Sequence, residues 1–276
     1  MEADELDDEV VETVIRRREI LGALAERPHH RRELQEAFDV SKTTCHRIVR
    51  SLEEKDLLRR TDEGYELGAL GTTISRQVEE FERNVRTAYR LHPLLEAFES
   101  TEVEFDVDLF DDATITRPRP EDPSPPVNRY LELLRDAETV RTLDRSSFIP
   151  PLYVEEIFEE AVEKAGGGIA IYPLSVVETR YTEYADIHRQ VAEAGLPIRY
   201  RVHDNVPFGM TVYDEDRVGM RAYDDETGAL RLFADTDDPD AVDWALDVFD
   251  RYYDASDPPS AFDELPDWVP ESEIPL

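Results

Sequence analysis

Residues 31–67 constrain the fold of this chain more than any other stretch. Arg31–Phe38 reads as a short helix, with Leu34 and Phe38 four apart on one face. Asp39-Val40 is a turn. Ser41 is a strong N-cap for a further helix to about Lys55, because its hydroxyl can accept an otherwise unsatisfied helix amide. On that helix Cys45, Ile48 or Val49, and Leu52 fall at i, i+3/4 and i+7 and define a buried face. Lys42, Thr43, Thr44, His46, Arg47 and Arg50 are left on the other side. Leu57–Arg60 and Tyr65–Leu67 then flank Thr61-Asp62-Glu63-Gly64, which reads as two short strands around a Gly turn. Upstream, Val11, Val14, Ile15, Ile20, Leu21 and Leu24 give Val11–Ala25 helical spacing, and Pro28 stops it. The outline is three helices closed by a hairpin.

Charge singles out the same segment. The 276 residues carry 31 Lys/Arg and 65 Asp/Glu, a formal net charge of −34. Residues 1–9 hold six acids and no base, an acidic tail by this reading. Residues 10–70 hold twelve of each sign, and 71–276 are net −28. DNA repels a chain this acidic, so a DNA-binding surface must be locally relieved of acid. Only Lys42, Lys55 and Lys164 are lysines. Abundant Asp/Glu with almost no Lys resembles the composition of proteins from halophilic archaea, which work in molar salt.

The run from Leu34 to Leu58, LQEAFDVSKTTCHRIVRSLEEKDLL, resembles the winged helix-turn-helix of archaeal and bacterial transcription regulators. That pattern is a turn ending in Val-Ser, two small polar residues, a core residue, an Arg, and a closing Leu-Glu-x-x-Gly-Leu. Here Asp56 stands where the pattern has Gly, a change that bears on the approach to the wing and leaves the fold intact. The resemblance implies a helix 41–55 that enters the major groove, where Arg bonds bidentately to guanine. Candidate DNA contacts are Ser41, Lys42, Thr43, Thr44, His46, Arg47 and Arg50 on the helix, with Arg59 and Arg60 on the wing for phosphates. A plainer reading leaves these as an ordinary solvated helix face. Lone Cys45 reads as a small core hydrophobe.

After the wing domain, 10–68, comes a linker helix, 69–95. Ile74, Val78, Phe81, Val85 and Ala88 repeat every 3.5 residues along it. The stripe can pair two subunits into a homodimer or pack on the chain's own C-terminal domain. Residues 96–253 read as a mixed α/β domain. Strand-like segments are 113–117, 139–143, 168–172 and 198–202, then a meander at 208–213, 217–223 and 230–233. Helices are expected at 128–136, 153–165, 176–194 and 241–253, and 118–126 is a proline-rich loop. The tail 254–276 is rich in proline and acid, with Phe262, Leu265 and Trp268 as docking residues. The fold class is therefore α+β or α/β, with an N-terminal winged helix, a long linker helix and a mixed α/β sensor domain.

The layout of this second domain resembles the sensor domain of the methanogenesis regulatory family, with a phospholipase-D-like fold. Phospholipase-D chemistry needs His-x-Lys twice, and none of His46, His92, His188 or His203 has Lys two residues on. The resemblance thus implies a non-catalytic relative. Gly166-Gly167-Gly168 follows a helix and precedes a strand, the reverse of a phosphate loop, and reads as a helix stop. Arg180, Tyr181, Tyr184, His188, Arg201 and His203 are candidates for a small-molecule effector site, because Arg and Tyr donate to charged or hydroxylated metabolites. Their plainer reading is core-margin tyrosines and ion-paired arginines.

No catalytic residue, metal site or cofactor is expected. A single cysteine excludes an intrachain disulfide and a cysteine-based zinc cluster. The acidic start, MEADELDDEV, is unlike a signal peptide, and no apolar run is long enough to span a bilayer, so a cytoplasmic protein with no membrane partner is expected. The expected partner is double-stranded DNA, read by a transcription regulator. Two other classes remain open: a DNA-targeted enzyme with a hydrolase-like C-terminal domain, and a winged helix that contacts protein.

Overall fold

The computed structural model describes residues 3–146, 167–187, 189 and 198–262. The chain divides into two compact units, Met1–Arg86 and Thr87–Leu276.

In the first unit, α1 (Ala3–Arg16) and α2 (Arg18–Glu26) replace the single helix expected over 11–25. The break falls at Arg17, with φ −116° and ψ 14°. The helix also reaches back into the acidic stretch expected to be a tail, because Val10 and Val14 pack on the core of this unit and hold α1 against it. Next come α3 (Arg31–Ala37), α4 (Lys42–Glu54) and a hairpin, β1 (Leu58–Thr61) with β2 (Gly64–Leu67). Leu21, Leu24, Leu34, Cys45, Ile48, Val49, Leu52 and Leu57 form the core. The hairpin is tied to the α2–α3 connection by paired amide bonds between His29 and Tyr65. That close approach requires Gly64: its φ is +124°, and a Cβ there would lie 2.5 Å from the His29 carbonyl oxygen.

The helix α5 (Ala69–Phe98) follows the wing and is three residues longer than expected. Its first part belongs to the first unit, where Ile74 and Val78 pack on the winged-helix core. Its end belongs to the second unit, where Leu91, Leu94 and Phe98 are buried in that core.

The second unit is built on a seven-stranded mixed sheet: β3 (Thr114–Thr116), β4 (Thr139–Leu143), β5 (Gly167–Tyr172), β6 (Ile198–Val202), β7 (Gly209–Tyr213), β8 (Arg217–Tyr223) and β9 (Leu230–Thr236). Their spatial order is β3-β9-β8-β7-β4-β5-β6. β4, β5 and β6 run parallel, and the β7–β8–β9 meander is antiparallel. The helices are α6 (Pro125–Asp136), α7 (Leu174–Glu183) and α8 (Pro239–Asp254). Strand alternation divides the sheet into two chemistries. Leu143, Ile169, Ile171, Met210, Val212, Val218, Met220, Leu232 and Ala234 join α8 and the end of α5 in an aliphatic core. The opposite face carries Asp144, Tyr172, Tyr200, Tyr213, Arg221 and Tyr223. The helix expected at 153–165, the end of that expected at 176–194, Gly166, and Leu265 and Trp268 lie outside the described residues. Phe262 packs beside Tyr172, Tyr181 and Tyr200.

Candidate nucleic-acid interface

Helix α4 is started by Ser41, whose Oγ accepts the Thr44 amide at 3.1 Å. Thr44 Oγ1 lies 2.9 Å from the same oxygen, so these two candidate contacts are engaged in the cap. Asp39, with φ +47°, turns the chain between α3 and α4. Cys45, Ile48, Val49 and Leu52 are buried, as their spacing requires. The thiol sits 3.6 Å from the Arg31 carbonyl, and burial pushes its pKa up. Lys42, Thr43, His46, Arg47 and Arg50 are exposed on the outer side of the helix.

Their charges are not equally available. Arg50 donates to Glu54 one turn on, at 2.8 Å. On the wing, Arg59 is paired across the hairpin with Glu66, at 2.6 Å. Lys42, Arg47 and Arg60 make no ion pair among the described residues. Asp56 sits between α4 and β1 with φ +55°, the left-handed conformation that favours Gly, at the one position where the regulator pattern has Gly.

Of the proposed pairing stripe, Ile74 and Val78 are packed within the first unit. Phe81 is 59% exposed and Val85 38%. Ala88 is half-buried.

The effector candidates do not converge. Arg180 is buried, 5.3 Å from the Tyr172 ring centre and 5.9 Å from that of Tyr200, with Tyr181 beside them. Tyr184 caps the same helix. Arg201 and His203 fall at alternate positions from Tyr200 and so face the other side of the sheet. There Arg201 donates to Ser256, and the His203 ring meets the edge of Tyr252 at 5.0 Å. His203 lines an open cavity of 450 Å³ with Asn205, Arg251 and Tyr252. His188 lies outside the described residues. Period-2 alternation separates residues that a linear reading had grouped.

The sequence matches two family models. Residues 7–90 match one described as the HVO_A0261 N-terminal domain, and residues 123–255 match the middle domain of the methanogenesis regulatory protein FilR1. The first match covers the winged-helix segment and most of α5, and the second covers most of the sheet domain. No curated relative matches in sequence. Among solved structures, TrmBL2, an archaeal chromatin protein described with a novel mode of DNA binding, is 16% identical over 86% of this chain and 91% of its own, with a TM-score of 0.42. NucT from Helicobacter pylori is 11% identical, over 53% of this chain and 98% of its own, at 0.42. The phospholipase D family member Nuc from Salmonella typhimurium is 12% identical, over 53% and 97%, at 0.40.

The second unit also holds a polar layer that the sequence reading missed. Asp144, at the end of β4, accepts from Arg221 Nε at 2.8 Å and from the Tyr223 hydroxyl at 2.8 and 2.9 Å. Both members of the ion pair are essentially inaccessible, 1% and 0% exposed. The Arg221 guanidinium lies 5.0 Å from the Tyr130 ring centre. Burial alone would lower the Arg221 pKa, but the Asp144 carboxylate and the surrounding tyrosines hold it above its ordinary value. Gly209 makes room for the pair, since a Cβ there would lie 2.6 Å from Arg221 Nε and 2.8 Å from Asp144 Oδ2. The available signal was an arginine in the middle of the otherwise apolar run Val218–Tyr223. Among the described residues no group of three or more His, Cys, Asp or Glu could hold a metal ion, and no helix is long and apolar enough to cross a membrane.

Proposed function

We propose that the chain is a sequence-specific, DNA-binding transcription regulator, with α4 as the helix that enters the major groove. The observation that carries this reading is electrostatic. In a chain of net charge −34, Lys42, Arg47 and Arg60 stand on α4 and the wing with no acid partner among the described residues. Cations left open in an acidic chain suit an anionic partner. Thr43 and His46 add donors beside Arg47, and Arg50 and Arg59 become available when their surface ion pairs exchange for DNA. At molar salt the Debye length is only about 3 Å, so short-range contacts to bases and phosphates carry the binding.

The exposed Phe81 and Val85 support a homodimer, which two half-sites require. The FilR1-type domain serves as a non-catalytic sensor of a small molecule or partner. Arg180, Tyr181 and Tyr184 on one face of its sheet, and Arg201 and His203 on the other, are two separate candidate regions for that effector.

The test is titration of duplex DNA with wild type and with the Lys42→Ala, Arg47→Ala and Arg60→Ala variants. Arg47→Ala is expected to lose about 1–3 kcal/mol of specific affinity, and the other two to weaken all sequences alike. Binding unchanged in all three overturns the reading.

A further inference from the structure

Beside α4 lies a groove of 330 Å³, formed with α1 and the helix break after it. Its polar lining is Glu12, Thr13, Arg16 and Arg17 on one side and Arg47 and Ser51 on the other. The two helices run antiparallel here. Glu9 of α1 holds Lys55 at the end of α4, at 2.8 Å, and eight residues on from Glu9 and eight back from Lys55 stand Arg17 and Arg47. At 1.5 Å per residue, both steps cover about 12 Å. Each side therefore presents an arginine and a hydroxyl four residues apart: Thr13 with Arg17, and Arg47 with Ser51.

Arg16-Arg17-Arg18 is a run of three cations, and the fold sends them to different partners. Arg16 pairs with Glu12 at 2.6 Å, and Arg18 pairs with Glu82 of α5. Arg17, half-buried at the helix break, has no ion pair among the described residues, and neither does Arg47. Since Glu12 neutralises Arg16, the groove is lined by two arginines without an ion pair among the described residues, in a protein with more than twice as many acids as bases. Like charges lining one groove repel, and an anion held in it offsets that repulsion. The Arg17 fork with the Thr13 and Ser51 hydroxyls is suited to the oxygens of one phosphate group, which leaves Arg47 to the bases.

We propose that this groove is a phosphate-binding site and that its ligand is a backbone phosphate of the duplex read by α4. The inference rests on the DNA reading above and adds Arg17, Thr13 and Ser51, which that reading does not use. The placement follows from dimensions. The major groove is about 12 Å wide and one helix fills it. With α4 in that groove, the α1 side of the cleft stands beside it, within reach of the phosphate strand that walls the groove. Arg17 is a positioning contact there, indifferent to base sequence.

The experiment is a salt series of duplex binding by the full chain, comparing wild type, Arg17→Gln and Arg17→Lys, with inorganic phosphate titrated into each and followed by phosphorus NMR. Arg17→Gln is expected to weaken every duplex by the same factor, about 3–10-fold, and to make the slope of log K against log salt shallower by about 0.9, the loss of one phosphate contact. Arg17→Lys restores the slope. Should wild type bind no duplex, the DNA reading fails, and phosphate binding that is lost in Arg17→Gln upholds the site with a free anion as its source. The same phosphate result with an unchanged salt slope assigns the groove to a free anion rather than to DNA. No change in slope or affinity, together with no Arg17-dependent phosphate binding, overturns the proposal.

Discussion

Arg50 is held by Glu54, one turn further along α4, at 2.8 Å, whereas Arg47 on the same outer side has no acid partner among the described residues. The two arginines therefore start from different states. On the proposed reading Arg50 would have to leave a carboxylate before meeting DNA, and an exposed pair of this kind is weak enough to exchange. Glu54→Gln is expected to raise duplex affinity severalfold, and Arg50→Ala to cost less than Arg47→Ala. Fluorescence anisotropy on one duplex checks both; equal losses in the two arginine variants would show that the pair does not restrain Arg50.

Asp56 adopts φ +55°, a conformation that strains a residue with a Cβ. Asp56→Gly is expected to stabilise the first unit by about 0.5–1 kcal/mol, the strain relieved exceeding the added freedom of the unfolded chain. Thermal unfolding of the full chain measures this. A lowered melting temperature would mean that the Asp56 side chain does more at this corner than its backbone conformation costs.

How much of this was legible varied with the range of the interactions. The α4 face, the Ser41 cap and the wing were readable because local periodicity and capping set them within a few residues. Strands β4, β6 and β8 matched their expected limits, since alternation or apolar runs between acidic turns mark them. The break at Arg17 was not readable: Val11–Leu24 keeps helical spacing across it, and the break accompanies tertiary contacts, Arg18 to Glu82 of α5 among them. Nor was the Asp144–Arg221 pair, whose members are 77 residues apart and meet only through sheet order. The 3.5-residue stripe of α5 was visible, but its division between a packed half, Ile74 and Val78, and an open half, Phe81 and Val85, depends on which neighbours the helix meets.

The Asp144–Arg221 pair makes a stability prediction. Asp144→Ala removes the carboxylate that both Arg221 and Tyr223 donate to, inside the fold. Breaking a buried pair from one side costs about 3–5 kcal/mol, because the remaining charge has no water to replace its partner. Urea unfolding should show an unfolding free energy lowered by that amount for the transition of the second unit. A loss under about 1 kcal/mol, the range of exposed pairs, would place the pair in contact with solvent.

Burial pushes the Tyr200 phenol up to about 12 and raises Tyr172 as well, with the nearby Arg180 charge opposing in both cases. The unfolded chain ionises these groups near the ordinary value of 10.0, so between there and about 12 the folded state binds more protons. Stability is then lost as pH rises through that window. Melting temperatures across it should fall, and Tyr200→Phe should flatten the fall. A profile unchanged by Tyr200→Phe would place that hydroxyl in solvent.

Phe81 and Val85 are the open apolar positions of the 3.5-residue stripe on α5, and a homodimer formed through that stripe would cover them. Phe81→Glu with Val85→Glu is expected to give a monomer in sedimentation equilibrium and to leave the melting temperature nearly unchanged when measured at monomer concentrations. An unaltered assembly state would remove this face from the interface.

The central claim is that α4 reads DNA sequence. Selection from random duplexes in molar KCl, with wild type beside an Arg47→Ala/Arg50→Ala variant, tests it most directly. The account predicts a palindrome enriched by wild type and absent with the variant. The same palindrome enriched by both proteins, or none enriched by wild type, would contradict it.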